Sequence, residues 1–447
     1  MPAIAQQLLF AAVLGGFSLF IFRRIARLVA NVKLGKDFVP EAIPTAERWK
    51  KVVLFGLGQR KMFDKPFVGA MHFVIYAGFF IINIEILEII LDGLLGTHRL
   101  FAPLLGNAYA FFIDFFEVLA FGVLAVCVVF LLRRNVAHIA RFRSIDLANW
   151  PRRDANLILV AEIVLMGLFL SWNASETVLQ GRGLEHYQPV GSFVISGSLL
   201  PIFDGWSTGS LLAYERFAWW AHIIGILSFA VYVTYSKHLH IGMAFPNIYW
   251  GRAQAQGQMA NMPAINTEVR SMMGLPSLAL AEATGVTGLP VAASKFGAQD
   301  VTDLTWKHLM DAYSCTECGR CTDACPANLT GKKLSPRAIM MKTRDRMEEI
   351  GREQDATKPA VINSNVLLDN YITRTELLAC TSCNACVTAC PVNINPLDII
   401  LELRRYAVME ESQAPASWNA MFQSTENNQA PWAYPPAERL KWLEAVE

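Results

Sequence analysis

Eight of the nine cysteines of this chain fall into two copies of one spacing, C-x2-C-x2-C-x3-C-P: Cys315, Cys318, Cys321, Cys325-Pro326 and Cys380, Cys383, Cys386, Cys390-Pro391. That run binds two [4Fe–4S] clusters, with three thiolates of each run on one cube and the fourth cysteine reaching across to the other. The spacing therefore predicts one cluster on Cys315, Cys318, Cys321 and Cys390, and a second on Cys380, Cys383, Cys386 and Cys325. Zinc sites or disulfides are the competing reading. Zinc, however, closes its shell with four ligands, typically two C-x2-C pairs, and has no need of a repeated third cysteine and proline.

Histidines in the apolar half form a second set. A histidine at bilayer depth is expensive, and axial ligation of b-type haem is the reading with most physical content. His222 and His240 are 18 residues apart, which is five helical turns, so both rings are expected on one face of one helix at roughly 27 Å separation. His238, two residues from His240, is then expected to point to nearly the opposite side as a surface or hydrogen-bonding residue. His72 opens the second apolar segment level with His240, and these two are the expected haem pair. A second haem at His222 needs a partner at its own depth, where the second segment offers Ile82 and Ile90; His98 is the first candidate and His186 the next, while His138 falls on the wrong side. One or two haems are thus expected. The competing readings are histidines that snorkel at the headgroups and a buried, hydrogen-bonded His222 with no haem.

Carboxylates supply the third set. Glu85 and Glu88 lie one turn apart, and Asp114 and Glu117 repeat that spacing, so each pair shares a helix face. Buried acids of this kind exchange protons or hydrogen-bond a polar ligand such as a quinone or menaquinone, here on the His222 side. An acidic face exposed to water, to the interface or to a neighbouring helix would look the same.

The elements that must position these residues are mostly apolar helices. A 447-residue chain with 53% apolar and 17% charged residues is too apolar for an ordinary soluble enzyme. Five segments can span a bilayer, at about 4–22, 66–91, 108–132, 155–178 and 212–238, each near the ~20 residues a spanning helix needs. The run 191–203 is too short to span and is expected at the interface. Arg23 and Arg24 follow the first apolar run instead of preceding it, so it is expected to stay as a helix and not to act as a signal peptide. Basic residues crowd the connections after the first and third segments, whereas the other two hold only Arg99 and Arg182. By the positive-inside rule the N-terminus is outside and the C-terminal half is cytoplasmic, on the reducing side where thiolates persist. A multi-pass protein of the cell inner membrane is expected, in contact with lipid and quinone. The formal net charge of +1 gives no reason to expect nucleic acid. Cys127, alone in the third segment, reads as a small packed hydrophobe.

Residues 251–300, rich in Gly, Ala, Met and Pro, read as a linker. Ser335-Pro336 starts a helix that Gly351 is expected to stop, and Asn395-Pro396 opens another that runs to about Glu411. The 54 residues between the cysteine runs (326–379) show little strand-like alternation, which favours a helical ferredoxin over a β-rich one. The expected fold is all-α: a five-helix transmembrane haem b domain (1–250), the linker (251–300), and a helical ferredoxin domain with a C-terminal tail (301–447). No Walker, Rossmann or hydrolase-elbow signature is present.

The stretch from Trp219-Trp220-Ala221-His222 through Tyr235-Ser236-Lys237-His238-Leu239-His240 to Ala244-Phe245-Pro246-Asn247, with His72 and Gly78-Phe79, resembles the haem b membrane subunits of the respiratory nitrate reductase gamma type. The second half, from Asp303-Leu304-Thr305-Trp306 through Cys315-Thr316-Glu317-Cys318-Gly319-Arg320-Cys321 and the second cysteine run, resembles the helical ferredoxin part of heterodisulfide reductase-like proteins. The resemblance implies electron exchange between a membrane quinone pool and a cytoplasmic redox partner. Two departures stand out. The gamma type carries a second histidine about three turns into its second helix, whereas Val74 to Leu91 contain none here. Relatives with this ferredoxin part often continue into further cysteine-rich domains, so disulfide chemistry is expected in another subunit.

The expected function is that of an integral-membrane oxidoreductase subunit of a respiratory chain. It passes electrons between quinone, haem b and two [4Fe–4S] clusters, to or from a cytoplasmic heterodisulfide reductase-like subunit of a larger complex. The alternative is a membrane-bound iron–sulfur redox sensor or assembly scaffold without turnover.

Overall fold

The computed structural model describes all residues except 1–2, 39, 41–42, 138, 185, 253–256, 260–261, 276–294, 355–363, 433–434 and 445–447. Among the described residues the chain is helical, with two isolated bridges and no extended strand. Five helices are long and apolar enough to cross a membrane: α1 (Ala3–Val32), α2 (Pro66–Leu95), α3 (Asn107–Asn135), α4 (Trp150–Gly181) and α5 (Thr208–Val233). Shorter helices follow: α6 (His240–Tyr249), α7 (Trp306–Ser314), α8 (Pro336–Gln354) and α9 (Pro396–Arg405).

Local chemistry sets the helix ends. Pro66 opens α2 where a missing N–H costs nothing, and Gly96 closes it at φ 72, a left-handed cap that glycine adopts without strain. Ser207 caps α5 by accepting from Ser210 N at 3.1 Å. The helices α2, α3, α4 and α5 pack in sequence order, as short connections dictate, while α2 and α5 make little contact and leave a gap between them. At the end of the bundle farther from the cysteines, which we term distal, α1 closes that gap. Its Phe10 ring lies 5.5 Å from Trp219 and 5.9 Å from Trp220. Gly93 makes room for it, since a Cβ there would fall 2.7 Å from the Phe10 ring.

Three sequence expectations change. First, α5 ends at Val233 and not at 238. Ser236 then caps a short 3-10 turn over Lys237–Leu239, and α6 starts afresh at His240. His222 and His240 are therefore on different helices and the five-turn register between them does not exist. Second, α1 continues past Arg24 to Val32 because its proximal end docks on the cysteine-bearing half. Arg24 pairs with Glu348 at 2.7 Å, and Asn31 donates to the Tyr313 hydroxyl at 2.8 Å. Third, Gly351 does not stop its helix; α8 runs through it, and the glycine is where α1 touches α8, since a Cβ there would collide with the Asn31 side chain.

The run 191–203 folds back on the bundle, with Phe193 and Ser196 fully buried beside α3 and α4. Much of the expected linker, including 276–294, lies outside the described residues. Its last residues do not behave as a linker: Ala298 is fully buried in the core that Leu309, Ile339, Leu367 and Ile399 build under the cysteines.

Candidate electron-transfer centres

Each cysteine run wraps a tight loop into a short helix, Arg320–Asp323 in the first and Ala385–Ala389 in the second. Gly319 at φ 76 and Asn384 at φ 61 turn the chain into those helices. Cys325 and Cys390 each stand in extended backbone immediately before or after such a helix. The thiols gather across the runs. Cys390 has Cys318 and Cys315 as its neighbours, and Cys321 has Cys315, Cys318, Cys390 and more weakly Cys386. Cys386 has Cys380, Cys325 and Cys383. This is the crossed grouping that the spacing predicts. Burial pushes the Cys386 and Cys390 thiols up to about 12 and Cys315 to about 11, and the neighbouring sulfurs push the same way. Packed thiolates of this kind need a cationic centre to compensate them. Backbone N–H groups of Ser382 and Ile394 point at Cys380 and Cys390 sulfurs at 3.4 Å. Among the described residues no three His, Cys, Asp or Glu side chains close on one ion, as a compact zinc site would.

Between the gap-lining faces of α2 and α5 runs a cavity of about 420 Å³. His72 and His222 line its membrane part; His238 and His240 line its proximal part, which reaches Cys318 and Pro391. His238 thus shares the cavity with His240, their rings 5.4 Å apart, which corrects the expectation that it points away. The turn that ends α5 is the reason. His222 stands near the middle of α5, its ring 5.9 Å from Phe169 of α4, whereas His72 lies near the proximal start of α2, so His222 is the deeper of the two.

Two of these rings are oriented by their second nitrogen. His72 Nδ1 faces Gln59 Oε1 at 2.9 Å, and His240 Nδ1 faces the Lys237 carbonyl at 3.0 Å. A partner oxygen on Nδ1 fixes the tautomer that leaves Nε2 able to ligate a metal. Gln59 is itself held at φ 49, a left-handed conformation rare outside glycine, and is buried. At the proximal mouth Arg134 Nε and Nη2 and Arg141 Nε are buried without hydrogen-bond partners, and Lys237 stands beside them. Unspent guanidinium donors beside paired imidazoles fit a flat macrocycle that carries carboxylates, so the residues present fit haem b. Sequence reasoning missed Gln59, Arg134, Arg141 and Glu162, a half-buried acid of α4 that lines the same cavity. Only Glu162 left a signal, as one of two carboxylates in a spanning segment, with Glu176.

The four carboxylates expected to serve a quinone do not line this cavity. Glu85 pairs with Arg99 at 3.1 Å. Glu88 accepts from Phe101 N and the Tyr109 hydroxyl, both at 2.7 Å. Asp114 accepts from Ser192 N, the Ser192 hydroxyl and Phe193 N at 3.1, 2.6 and 2.8 Å. Glu117 accepts from Asn173 and Ile195 N, both at 3.1 Å, and from Ser196. They tie the distal loops to the bundle; the hydrogen bonds of Glu88, Asp114 and Glu117 are largely spent, whereas Glu85 Oε2 is buried without a partner, and Glu88 also lines the distal cavity where His98 sits. His98 is separated from His222 as well: it opens into a second, distal cavity with His186, whose ring is 4.9 Å away. The expected His98–His222 and His186–His222 pairings are thus not formed.

Residues 314–394 match the family model of the 4Fe-4S dicluster domain. Over 98% of its length the chain is 27% identical to the probable iron-sulfur-binding oxidoreductase FadF of Bacillus subtilis, and 25% identical to the EtfAB:quinone oxidoreductase of Syntrophomonas wolfei. It spans 61% and 60% of those two relatives. A shorter match, 28% identical over 34% of this chain and 37% of the relative, is to a dihydromethanophenazine:CoB–CoM heterodisulfide reductase component of Methanosarcina acetivorans. No solved structure matches. The relatives are iron–sulfur oxidoreductases and subunits of electron-transfer complexes, which supports a redox role for this chain with a 4Fe-4S domain.

Proposed function

We propose that the chain is an integral-membrane electron-transfer subunit that links a quinone in the bilayer, one b haem in the bundle and two [4Fe–4S] clusters to a soluble redox partner. The observation that carries the reading is the continuity of one cavity, from His222 past His72 and His240 to Cys318. A cofactor held there touches both the membrane interior and the first cysteine run. His72 and His240 would hold the haem iron through Nε2, and Arg134, Arg141 and Lys237 would receive its carboxylates. When bound, haem and the clusters supply one-electron chemistry along this line.

The protein's own contribution is to fix spacing. Lys61, in the loop before α2, donates to Cys390 O at 3.1 Å and Asn393 Oδ1 at 2.7 Å, and Arg320 returns a bond to Lys61 O at 2.9 Å. Glu317, between the first two cysteines, takes Lys237 at 2.5 Å and Arg344 at 2.7 Å. Arg337, fully buried, takes Asp146 at 2.6 Å. All of these contacts except Glu317–Arg344 cross from the membrane half to the cysteine half and hold the two together, which is what electron transfer at fixed distance requires.

The distribution of basic residues supports a cytoplasmic cysteine half and an outward-facing distal end. The quinone comes from the name of one relative, and a soluble partner of heterodisulfide reductase type from another. A redox titration of the purified protein in detergent is the test. Two cubane signals and a low-spin b-type haem spectrum are expected, with haem reduced by an added hydroquinone. A chain that loads zinc, or that carries cubanes but no haem, overturns the proposal.

A further inference from the structure

The distal cavity has a volume of about 330 Å³. Its walls are aromatic, from Phe10, Trp172, Trp219 and Trp220, and its floor is polar. His98 sits there with Nε2 free of hydrogen bonds, 3.6 Å from Glu176 Oε1. Glu176 is fully buried and held by Arg99 at 2.9 Å and Gln180 at 3.1 Å; Arg99 is itself bound by Glu85 and Asn173, both at 3.1 Å. Glu85 Oε2 and Arg99 Nε are also buried without partners. Of the groups that line the cavity, Glu88 and Asp92 are held by Phe101 N, the Tyr109 hydroxyl, Thr97 and the backbone of Arg99 and Leu100, and His98 is the one with a buried, unspent nitrogen that can accept a proton. Burial holds that imidazole low, at about 4, while Glu176 pulls the other way. It is neutral and able to accept a proton.

Trp172 is the second observation. It lines the distal cavity, and its ring lies 6.4 Å from that of His222, which lines the proximal cavity. One indole therefore stands between the two cavities, fixed by its Nε1 bond to Glu215 at 3.1 Å.

We propose that the distal cavity binds a quinone headgroup, with His98 exchanging a proton with a ring oxygen and Trp172 forming the wall that electrons cross. This deepens the electron-transfer reading above and rests on it. A flat ring with two oxygens suits aromatic walls and one polar end. Oxidation of one hydroquinone breaks two O–H bonds and yields two protons and two electrons. The first proton passes to His98 Nε2, where Glu176 stabilises the imidazolium, and leaves at the distal surface before the second follows. Trp172 would carry the electrons one at a time toward a haem held in the proximal cavity; quinone reduction would run the same steps in reverse.

The test uses the full chain in membranes, with a soluble naphthohydroquinone as reductant and tryptophan fluorescence quenching by the matching naphthoquinone as the binding readout. His98→Gln is expected to slow haem reduction by about a hundredfold, with the haem spectrum and quenching retained. Gln6→Phe, at an exposed position on the cavity's lip, is expected to abolish quenching; it decides the matter if His98→Gln fails to fold. Wild-type reduction rates and quenching in both variants overturn this inference and leave the electron-transfer reading standing. A wild-type chain with no hydroquinone-dependent haem reduction overturns that reading instead.

Discussion

Both ends of the helix bundle bury polar side chains, and three distal carboxylates use their hydrogen bonds in the opposite way to two proximal arginines. At the distal end Glu88, Asp114 and Glu117 accept from backbone N–H groups and hydroxyls until little capacity remains. At the proximal end Arg134 and Arg141 keep donors with no partner, and His72 and His240 spend one nitrogen each on orientation. A buried polar group in an apolar bundle signals function only when its hydrogen bonds are not already spent inside the protein. By that criterion Glu88, Asp114 and Glu117 are structural, while Glu85 Oε2, Arg99 Nε and His98 Nε2 stay unspent; of these three residues Arg99 and His98 line the distal cavity, and only His98 can accept a proton there.

The largest effect should come from beyond the bundle, where the contrast is between ligands and everything else. Cys386→Ser is expected to remove or convert one of the two clusters and to stop transfer between haem and the soluble partner, with the haem spectrum intact. Electron paramagnetic resonance and iron analysis read both. A loss of haem in the same variant would mean that the two halves do not fold as separable cofactor sites.

How much of this is legible in the sequence follows from the range of each interaction. The cysteine grouping is visible because both runs carry the same local spacing, and the five long helices are visible because apolarity is continuous over each. The end of α5 is not, because no Gly or Pro between Val233 and His240 marks a stop, while Ser236 caps a new turn. Gly351 misleads for a related reason: glycine marks either a helix end or a close approach, and only the position of Asn31, over 300 residues earlier, decides between them. Gln59 cannot be found at all. Its role is a single contact to His72 from a loop whose composition says only that it is basic.

The next effect bears on the proximal end. His240→Ala is expected to abolish the low-spin b-type signal. His238→Ala is expected to keep it, since the His238 ring has no oxygen partner to fix its tautomer among the described residues. The reverse outcome would exchange the two ligands, which the shared cavity permits and the Nδ1 criterion forbids.

A smaller effect sharpens that criterion. Gln59→Leu removes the oxygen facing His72 Nδ1 and leaves the ligand in place. Loss of such an outer partner typically costs 10- to 100-fold in metal-site affinity. Haem retention through purification should fall by roughly that factor, measured as haem per chain. Unchanged retention would show that the packing of α2 alone orients His72.

The smallest effect on electron transfer is expected from Asp114, a distal carboxylate away from both cavities. It accepts three hydrogen bonds from Ser192 and Phe193 and lines neither cavity. In Asp114→Asn the carbonyl oxygen keeps its acceptor role while the charge and one oxygen acceptor are lost. A cost of about 1–2 kcal/mol follows from weakening charge-assisted bonds, because the loop around Phe193 is held less firmly on α3. Thermal aggregation in detergent should therefore begin a few degrees lower. Hydroquinone-driven haem reduction should stay at the wild-type rate, since no proton route includes Asp114. If the rate falls while thermal behaviour is unchanged, a carboxylate with spent hydrogen bonds is nonetheless in the proton path, and the contrast between the two ends of the bundle fails.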